Sequence, residues 1–357
     1  MTHLRPVQFV DTPVGRDGHV ARLAGGMLWF AAYDVIGAEG RRTIAVADFD
    51  AHLATLPTSD AERLAGYHRA ITTPRVAWSL GDRVLRFDQP AVAGILNVTP
   101  DSFSDGGTLH DDPVAAAAAG IDLAAAGAAL IDLGGESTRP GAAAVWEGDE
   151  IARVVPVVER LAGAGTLVSV DTRKAGVMAA ALKAGAHIVN DVSALLWDDR
   201  ALAVVAGAGC PVVLMHSPDP KAGGHGRDGY ANVLTDVFDW LEARIAAVVA
   251  GGVDRSRIMV DPGIGFGKSL ADNVALMNGL ALFHGLGCPI MLGASRKRMI
   301  GALSLEAPVG ERLGGSIALA MKGIEAGVQV LRVHDVAETV QAARIWRGLR
   351  DGALTAR

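Results

Sequence analysis

The sequence predicts an α/β fold, a (β/α)8 TIM barrel with an N-terminal extension and a barrel-closing β-hairpin. Three observations predict it. From residue 92 onward, eight short β-type runs recur, each followed by a polar or Gly-rich loop and then by an Ala-rich stretch of helical period. The runs are apolar almost throughout, as parallel strands buried on both faces must be. The alternation occupies about 250 residues, the usual size of such a barrel. A doubly wound open sheet is the competing architecture.

The eight runs are Val92 to Val98, Leu130 to Leu133, Leu167 to Val170, Ile188 to Val192, Val212 to Met215, Ile258 to Val260, Ile290 to Leu292 and Val330 to Val333. Between the second and third, Ile151, Val154, Val155, Val158 and Ala162 recur at helical spacing. An acidic first turn of Glu147, Asp149 and Glu150 suits the dipole of that helix. Lys174 to Ala184 reads as another helix, stopped by Gly185. Before the first run, Val76 to Ser79 and Arg83 to Phe87, split by Leu80-Gly81-Asp82, predict a hairpin that closes the barrel's amino-terminal end. Further upstream, Gly26 to Gly37 and Asp48 to Leu56 read as helices, and Pro57 and Pro74 punctuate the region. The expected division is a small α/β appendage of unknown role over residues 1–73, then the barrel with its hairpin over 74–357.

Composition narrows the function classes. With 357 residues, half of them hydrophobic and 20% charged, the chain can fill one large core or one core and a small appendage. MTHLRPVQFVDT at the start carries no basic stretch leading into an apolar run, so no secretory signal is expected. Gly26 to Ile36 is too short to cross a bilayer and contains Asp34. Cys210 and Cys288 lie far apart without metal-ligand spacing and read as buried thiols of a reducing, cytoplasmic compartment. A formal net charge of -6 with no Lys/Arg run argues against a nucleic-acid surface.

In this type of barrel the reacting groups belong at the carboxyl ends of the strands. All eight ends here are polar, beginning with Asn97 after the first and Asp132 to Gly141 at the second. Asp171, Asn190, His216, Asp261 to Lys268, Ser295 to Arg298 and Arg332 to Asp335 continue the series. Any one of them reads as a turn or N-cap residue; the set does not. Asp171, Asn190, Asp261 and Lys297 suit a flat heterocycle with a donor and acceptor edge. Asn97, Arg139, Arg332 and His334 offer the neutral oxygen and donors expected for a diphosphate and its Mg²⁺. Gly267-Lys268-Ser269 imitates the end of a nucleotide-binding loop, but Pro262 stands where its first Gly belongs. The glycines at 263, 265 and 267 instead suggest a backbone passing close beneath a ligand or a neighbouring loop.

The segments ILNVTPDSFSDGG (95 to 107), DLGGESTRPGA (132 to 142), DPGIGFGK (261 to 268), GASRKRMIG (293 to 301) and RVHDV (332 to 336) closely resemble, in this order, those of the dihydropteroate synthase family. The likeness runs from residue 92 to about 350. It implies condensation of 6-hydroxymethyl-7,8-dihydropterin diphosphate with 4-aminobenzoate, giving 7,8-dihydropteroate and pyrophosphate in folate biosynthesis. It further implies Mg²⁺ as cofactor, small-molecule substrates without nucleic acid or membrane partners, a homodimer, and membership of a family that sulfonamides target, while the sequence leaves this chain's own susceptibility open. Residue by residue, it implies that Asp171, Asn190, Met215, Asp261 and Lys297 hold the pterin, with Arg332 over its face. Asn97 would be the metal ligand and, with Arg332 and His334, would bind the diphosphate. Phe103, Thr138, Arg139, Pro140, Phe266, Lys297 and Arg298 would receive the aminobenzoate, with Asp171, Lys297, Asp105 and Arg139 as catalytic groups. Two departures stand out. Arg298 occupies a position where some members have Ser, and Ser217 to Gly226 replaces an expected Gly and Met-Gln loop after the fifth strand.

Pyrophosphate on Mg²⁺ is a good leaving group, and a methylene on a pterin ring can spread positive charge, so an SN1-like path is expected. The site's task is then electrostatic. His216 and His187 read as structural residues. Two rivals compete: a methyltetrahydrofolate-binding methyltransferase domain, which has no use for the diphosphate residues, and a non-catalytic pterin-binding paralogue.

Overall fold

The computed structural model describes residues 2–38, 40–99, 112–137, 144–219 and 229–355. The chain opens with an antiparallel sheet of β1 (His3–Val10), β2 (Ala21–Arg22), β3 (Trp29–Gly37) and β4 (Gly40–Ala45), in which β3 pairs with β1 on one side and with β2 and β4 on the other. This corrects the helix expected over Gly26 to Gly37. Trp29, Phe30, Tyr33, Val35 and Ile36 favour a pleated strand, and an apolar run without clear period does not separate strand from helix. In the expected Asp48 to Leu56 helix, only α1 (Phe49–Leu53) is α-helical. Helix α2 (Thr58–Thr72) went unread, although Pro57 precedes it and Leu64, Tyr67 and Ile71 mark its buried face.

The hairpin of β5 (Trp78–Leu80) and β6 (Arg83–Leu85) follows, Trp78 opposite Leu85, with Gly81 at φ +59 in the turn. Eight parallel strands come next: β7 (Ala91–Asn97), β8 (Leu130–Gly134), β9 (Val168–Asp171), β10 (Ile188–Asp191), β11 (Val212–Met215), β12 (Ile258–Asp261), β13 (Met291–Leu292) and β14 (Val330–Val333). They run in the order β12-β11-β10-β9-β8-β7-β14-β13, and a bridge between Val260 and Ile290 joins the two ends into a barrel. Outside lie α3 (Pro113–Ala125), α4 (Glu147–Gly163), α5 (Ala175–Lys183), α6 (Ala201–Ala208), α7 (Val233–Ala250), α8 (Leu270–Gly279), α9 (Arg298–Leu303), α10 (Leu313–Glu325) and α11 (Val336–Thr355). The expected helix is α4, whose buried residues are Glu150, Val154, Val157, Val158 and Leu161, while Ile151, Val155 and Ala162 are half-buried.

The amino-terminal elements share one continuous hydrophobic core with the barrel. Tyr67 and His3 set their rings edge-on against Phe238 of α7, at 5.3 and 5.2 Å. Two further contacts reach α7: the Tyr67 hydroxyl donates to Glu242 at 3.0 Å, and the His3 ring meets Asp239 at 2.7 Å. At the barrel floor, Trp78, Leu80, Leu85 and Phe87 pack beneath Ala93, Leu130, Leu167, Ile188, Val213, Met259, Met291 and Val330. Each large side chain so buried contributes on the order of 1.5–3 kcal/mol. The Trp78 indole N–H is satisfied by the Ser256 carbonyl at 2.7 Å.

Candidate active site

Inward-facing side chains alternate along each barrel strand. Two residues above the apolar floor, the same faces carry Asp132, Ser169, Asn190, Met215, Asp261 and Arg332; two further up come Asn97, Asp171 and His334. One change of residue type along the strands thus turns a packed floor into a polar chamber at the carboxyl end.

Arg332, near the end of β14, sits at its centre. Its Nε donates to Asp132 Oδ2 at 2.5 Å and its Nη2 to Asp171 Oδ2 at 2.7 Å, while Asn190 Nδ2 donates to the same Asp132 oxygen at 3.0 Å. The remaining carboxylate oxygens, Oδ1 of Asp132 and of Asp171, are buried without a hydrogen-bond partner among the described residues. Leaving such an atom unpaired is costly unless a ligand completes it. One guanidinium serving two carboxylates does not neutralise both. Burial pushes the Asp171 carboxyl up to about 7; Arg332 pulls it down, and Asp132, Asp191 and Glu150 add to the rise. Burial opposes the charge on Arg332, but Asp132 and Asp171 together hold its guanidinium above its ordinary value.

Asp261 closes the next side. Its Oδ1 accepts the Gly263 N–H at 2.7 Å, and burial raises its pKa against the pull of that N–H, Lys297 and Arg332. Met215 is buried and lies opposite Asp261 in the β11–β12 register. Lys297, the N-cap of α9, holds its ammonium 4.2 Å from the Phe266 ring centroid, a cation–π contact. The preceding Arg296 takes a left-handed φ of +57, a strained conformation for a long side chain. That turn is held by an ion pair to Asp335, by the Arg296 N–H to Ser316 Oγ at 3.0 Å, and by Arg312 donating to the Arg296 carbonyl at 3.1 Å.

His334 is neutral. Burial, then Arg332 and Arg296, push its imidazole down to about 3, and Nδ1 meets Ser295 Oγ at 3.0 Å. A neutral imidazole keeps one N–H that can donate to an anion. Asn97 stands at the end of β7 opposite Gly134 in the register, and Arg298 is exposed at the first position of α9. Phe103, Asp105, Thr138, Arg139 and Pro140 lie outside the described residues, as does the atypical loop beyond Asp219. His216 packs edge-on against Trp240 at 4.9 Å, and burial brings its pKa down to about 3, consistent with a structural role. His187 Nδ1 accepts the Val168 N–H at 3.3 Å.

Two features escaped sequence reading. Asp132 was noted only as part of a strand end, although an Asp inside a wholly buried strand is itself the signal. Behind Asp171, Thr172 Oγ1 donates to Glu150 Oε1 at 2.7 Å, and Lys174 Nζ bridges Glu150 at 2.5 Å and Glu136 at 2.9 Å. Glu136 also takes Arg173 Nε at 2.9 Å. This network fixes the backbone just beyond the Asp171 carboxylate.

The model for the family described as "Pterin binding enzyme" matches residues 93–334. The dihydropteroate synthase of Bacillus subtilis is 43% identical over 259 residues, 72% of this chain and 88% of that one. The chain belongs to the dihydropteroate synthase family. Solved structures agree. The dihydropteroate synthase of Xanthomonas albilineans with 4-aminobenzoic acid aligns at TM-score 0.72 and 47% identity, covering 77% of this chain and 98% of that one. The same organism's enzyme in complex with 7,8-dihydropteroate aligns at TM-score 0.70 and 44% identity, covering 77% and 99%. The described members of the polar chamber, from Asn97 to His334, fall within or at the edge of the family match, whereas β1 to β6 precede it.

Proposed function

We propose that this chain is a dihydropteroate synthase that joins 6-hydroxymethyl-7,8-dihydropterin diphosphate to 4-aminobenzoate and releases pyrophosphate. The observation that carries the assignment of its pterin site is the buried set of Asp132, Asp171 and Asp261 around one Arg332, with two carboxylate oxygens that have no hydrogen-bond partner among the described residues. A dihydropterin offers ring N–H and amino donors to such oxygens, and Asn190, its Nδ2 committed to Asp132, offers its carbonyl oxygen. Met215 lines the same chamber. Arg332, held between two carboxylates, lies where it can cover the ring and reach the diphosphate.

In the reaction, the bond from the methylene carbon to the diphosphate oxygen breaks with its electron pair leaving on the diphosphate. The arylamine nitrogen bonds to that carbon and then loses a proton. Asp171 stabilises the positive charge spread over the pterin, and Arg332 and the neutral His334 donate to the departing diphosphate. The arylamine is already neutral near pH 7, so it needs positioning, which we assign to Phe266, Lys297 and Arg298. Roles for Phe103, Asp105, Thr138, Arg139 and Pro140 at this centre follow from the family likeness.

Among the described residues, no cluster of three His, Cys, Asp or Glu is placed to hold a metal. That donor set fits an ion bound chiefly by its substrate. Mg²⁺ prefers oxygen ligands and keeps waters and phosphates among them, so Asn97 would supply one neutral protein oxygen. When bound there, Mg²⁺ would neutralise charge on the diphosphate.

A pyrophosphate-release assay tests the function: release should require both substrates and yield 7,8-dihydropteroate. Binding of both without release would favour the non-catalytic paralogue. A pH dependence follows from Asp171. The carboxylate accepts an N–H more strongly than the protonated carboxyl does, and burial pushes Asp171 up to about 7, so affinity for a diphosphate-free dihydropterin should fall as pH drops below that point. Calorimetry between pH 5.5 and 8 measures this; a flat profile would remove Asp171 as an acceptor.

We assign residues 1–73 to an appendage of unknown role and 74–357 to the catalytic barrel, in a cytoplasmic protein. No helix among the described residues is long and apolar enough to cross a membrane. Leu303, Leu305, Val309 and Leu313 are all exposed between α9 and the start of α10, which supports a homodimer through that face. Sedimentation should return about twice the 36.8 kDa of one chain, and Leu305→Glu should shift it toward a single chain.

A further inference from the structure

Lys268, the residue of the false nucleotide loop, makes a contact set that the reaction as described does not use. Its Nζ donates to three main-chain carbonyls: Gly263 at 2.9 Å, Phe266 at 3.2 Å and His216 at 3.4 Å. The three donors of one ammonium thus meet three acceptors, two in the loop after β12 and one in the loop after β11. These loops touch backbone to backbone, for Gly263 has φ +70 and a Cβ there would stand 2.0 Å from the His216 oxygen. The β12 loop is tied again where the Gly265 N–H donates to Asn273 Oδ1 at 2.6 Å, and where Asn273 Nδ2 reaches the carbonyls of Lys268 and Ser269. Gly265, at φ +82, provides the surface on which the Lys297 stem lies; a Cβ there would meet Lys297 Cδ at 3.0 Å. Lys297 then carries its ammonium over Phe266.

We propose that Lys268 is a positioning residue for the arylamine substrate. By fixing the Phe266 carbonyl against Gly263 and His216, it sets the Phe266 ring and, through it, the Lys297 ammonium. It does not touch the reacting atoms. A compact ammonium can converge three donors on three carbonyls; a Met of similar length supplies none, and the planar fork of Arg does not converge in that way. This inference rests on the assignment of Phe266 to the aminobenzoate.

Steady-state kinetics of Lys268→Met, Phe266→Ala and the double variant test it. Lys268→Met should raise KM for 4-aminobenzoate by about tenfold while leaving kcat and KM for the pterin diphosphate within about threefold. The double variant should be no worse than Phe266→Ala alone, because Lys268 acts through that residue. A lower Tm with both KM values unchanged, or additive losses in the double variant, would make Lys268 a purely structural residue and overturn the inference. If Phe266→Ala itself left KM for 4-aminobenzoate unchanged, the site assignment would fall first and the inference with it. Should Lys268→Met not fold, Lys268→Arg should show the same KM split at smaller amplitude, and its absence would overturn the proposal.

Discussion

Replacing Arg332 by Met removes turnover and destabilises the fold by about 3–5 kcal/mol at pH 8, because two buried carboxylates lose their shared counter-charge. The deficit shrinks in acid. Asp171 is held near 7 by burial while Arg332 pulls it down, so its pKa climbs further once the guanidinium is gone. A carboxyl whose folded pKa lies above its unfolded value contributes stability that is fully present below the unfolded pKa and is lost as pH rises through the folded one. Urea unfolding of the variant and the parent at pH 5 and pH 8 should therefore show a smaller gap at pH 5. A gap independent of pH would mean that Asp171 is not coupled to Arg332 as described. Loss of turnover, by about a thousandfold or more, follows from the role proposed for the guanidinium at the departing diphosphate.

The second large effect belongs to Asn97. Asn97→Ala should slow pyrophosphate release by about a hundredfold, the usual scale for removing one oxygen or donor aimed at developing charge. Affinity for a diphosphate-free pterin should stay within about twofold, because the pterin edge is assigned to Asp171, Asn190 and Asp261 and not to Asn97. Calorimetric titration of pyrophosphate with Mg²⁺ should show the same loss in the absence of catalysis. If the variant bound Mg²⁺ and pyrophosphate like the parent, the metal assignment would move elsewhere.

The barrel was legible because its strands are buried on both faces. Val212–Met215 and Val330–Val333 coincide with their apolar runs, and the other six strands differ only by a residue or two at their ends. Polar residues at those ends led directly to Asp171, Asn190, Asp261, Lys297, Arg332 and His334. Asp132 was harder to assign because its significance is set by three neighbours from other strands, not by its place in a loop. The triad of Glu136, Glu150 and Lys174 draws on three separate segments, and no local pattern announces it. The amino-terminal sheet failed for a related reason. The register that places His3 opposite Ile36 is a long-range pairing, and Gly26 to Gly37 alone carries an apolar run that suits either element. The protonation of His334 was not legible in the sequence, since its lowered pKa comes from burial beside Arg332 and Arg296.

A crystal structure of this chain with 7,8-dihydropteroate tests the account most directly. The pterin ring should lie within hydrogen-bond distance of Asp171, Asn190 and Asp261, with Arg332 against it and the aminobenzoyl group beside Phe266 and Lys297. A product molecule bound with its pterin away from those carboxylates, or with Asp132 and Asp171 still lacking partners for their buried oxygens, would contradict it.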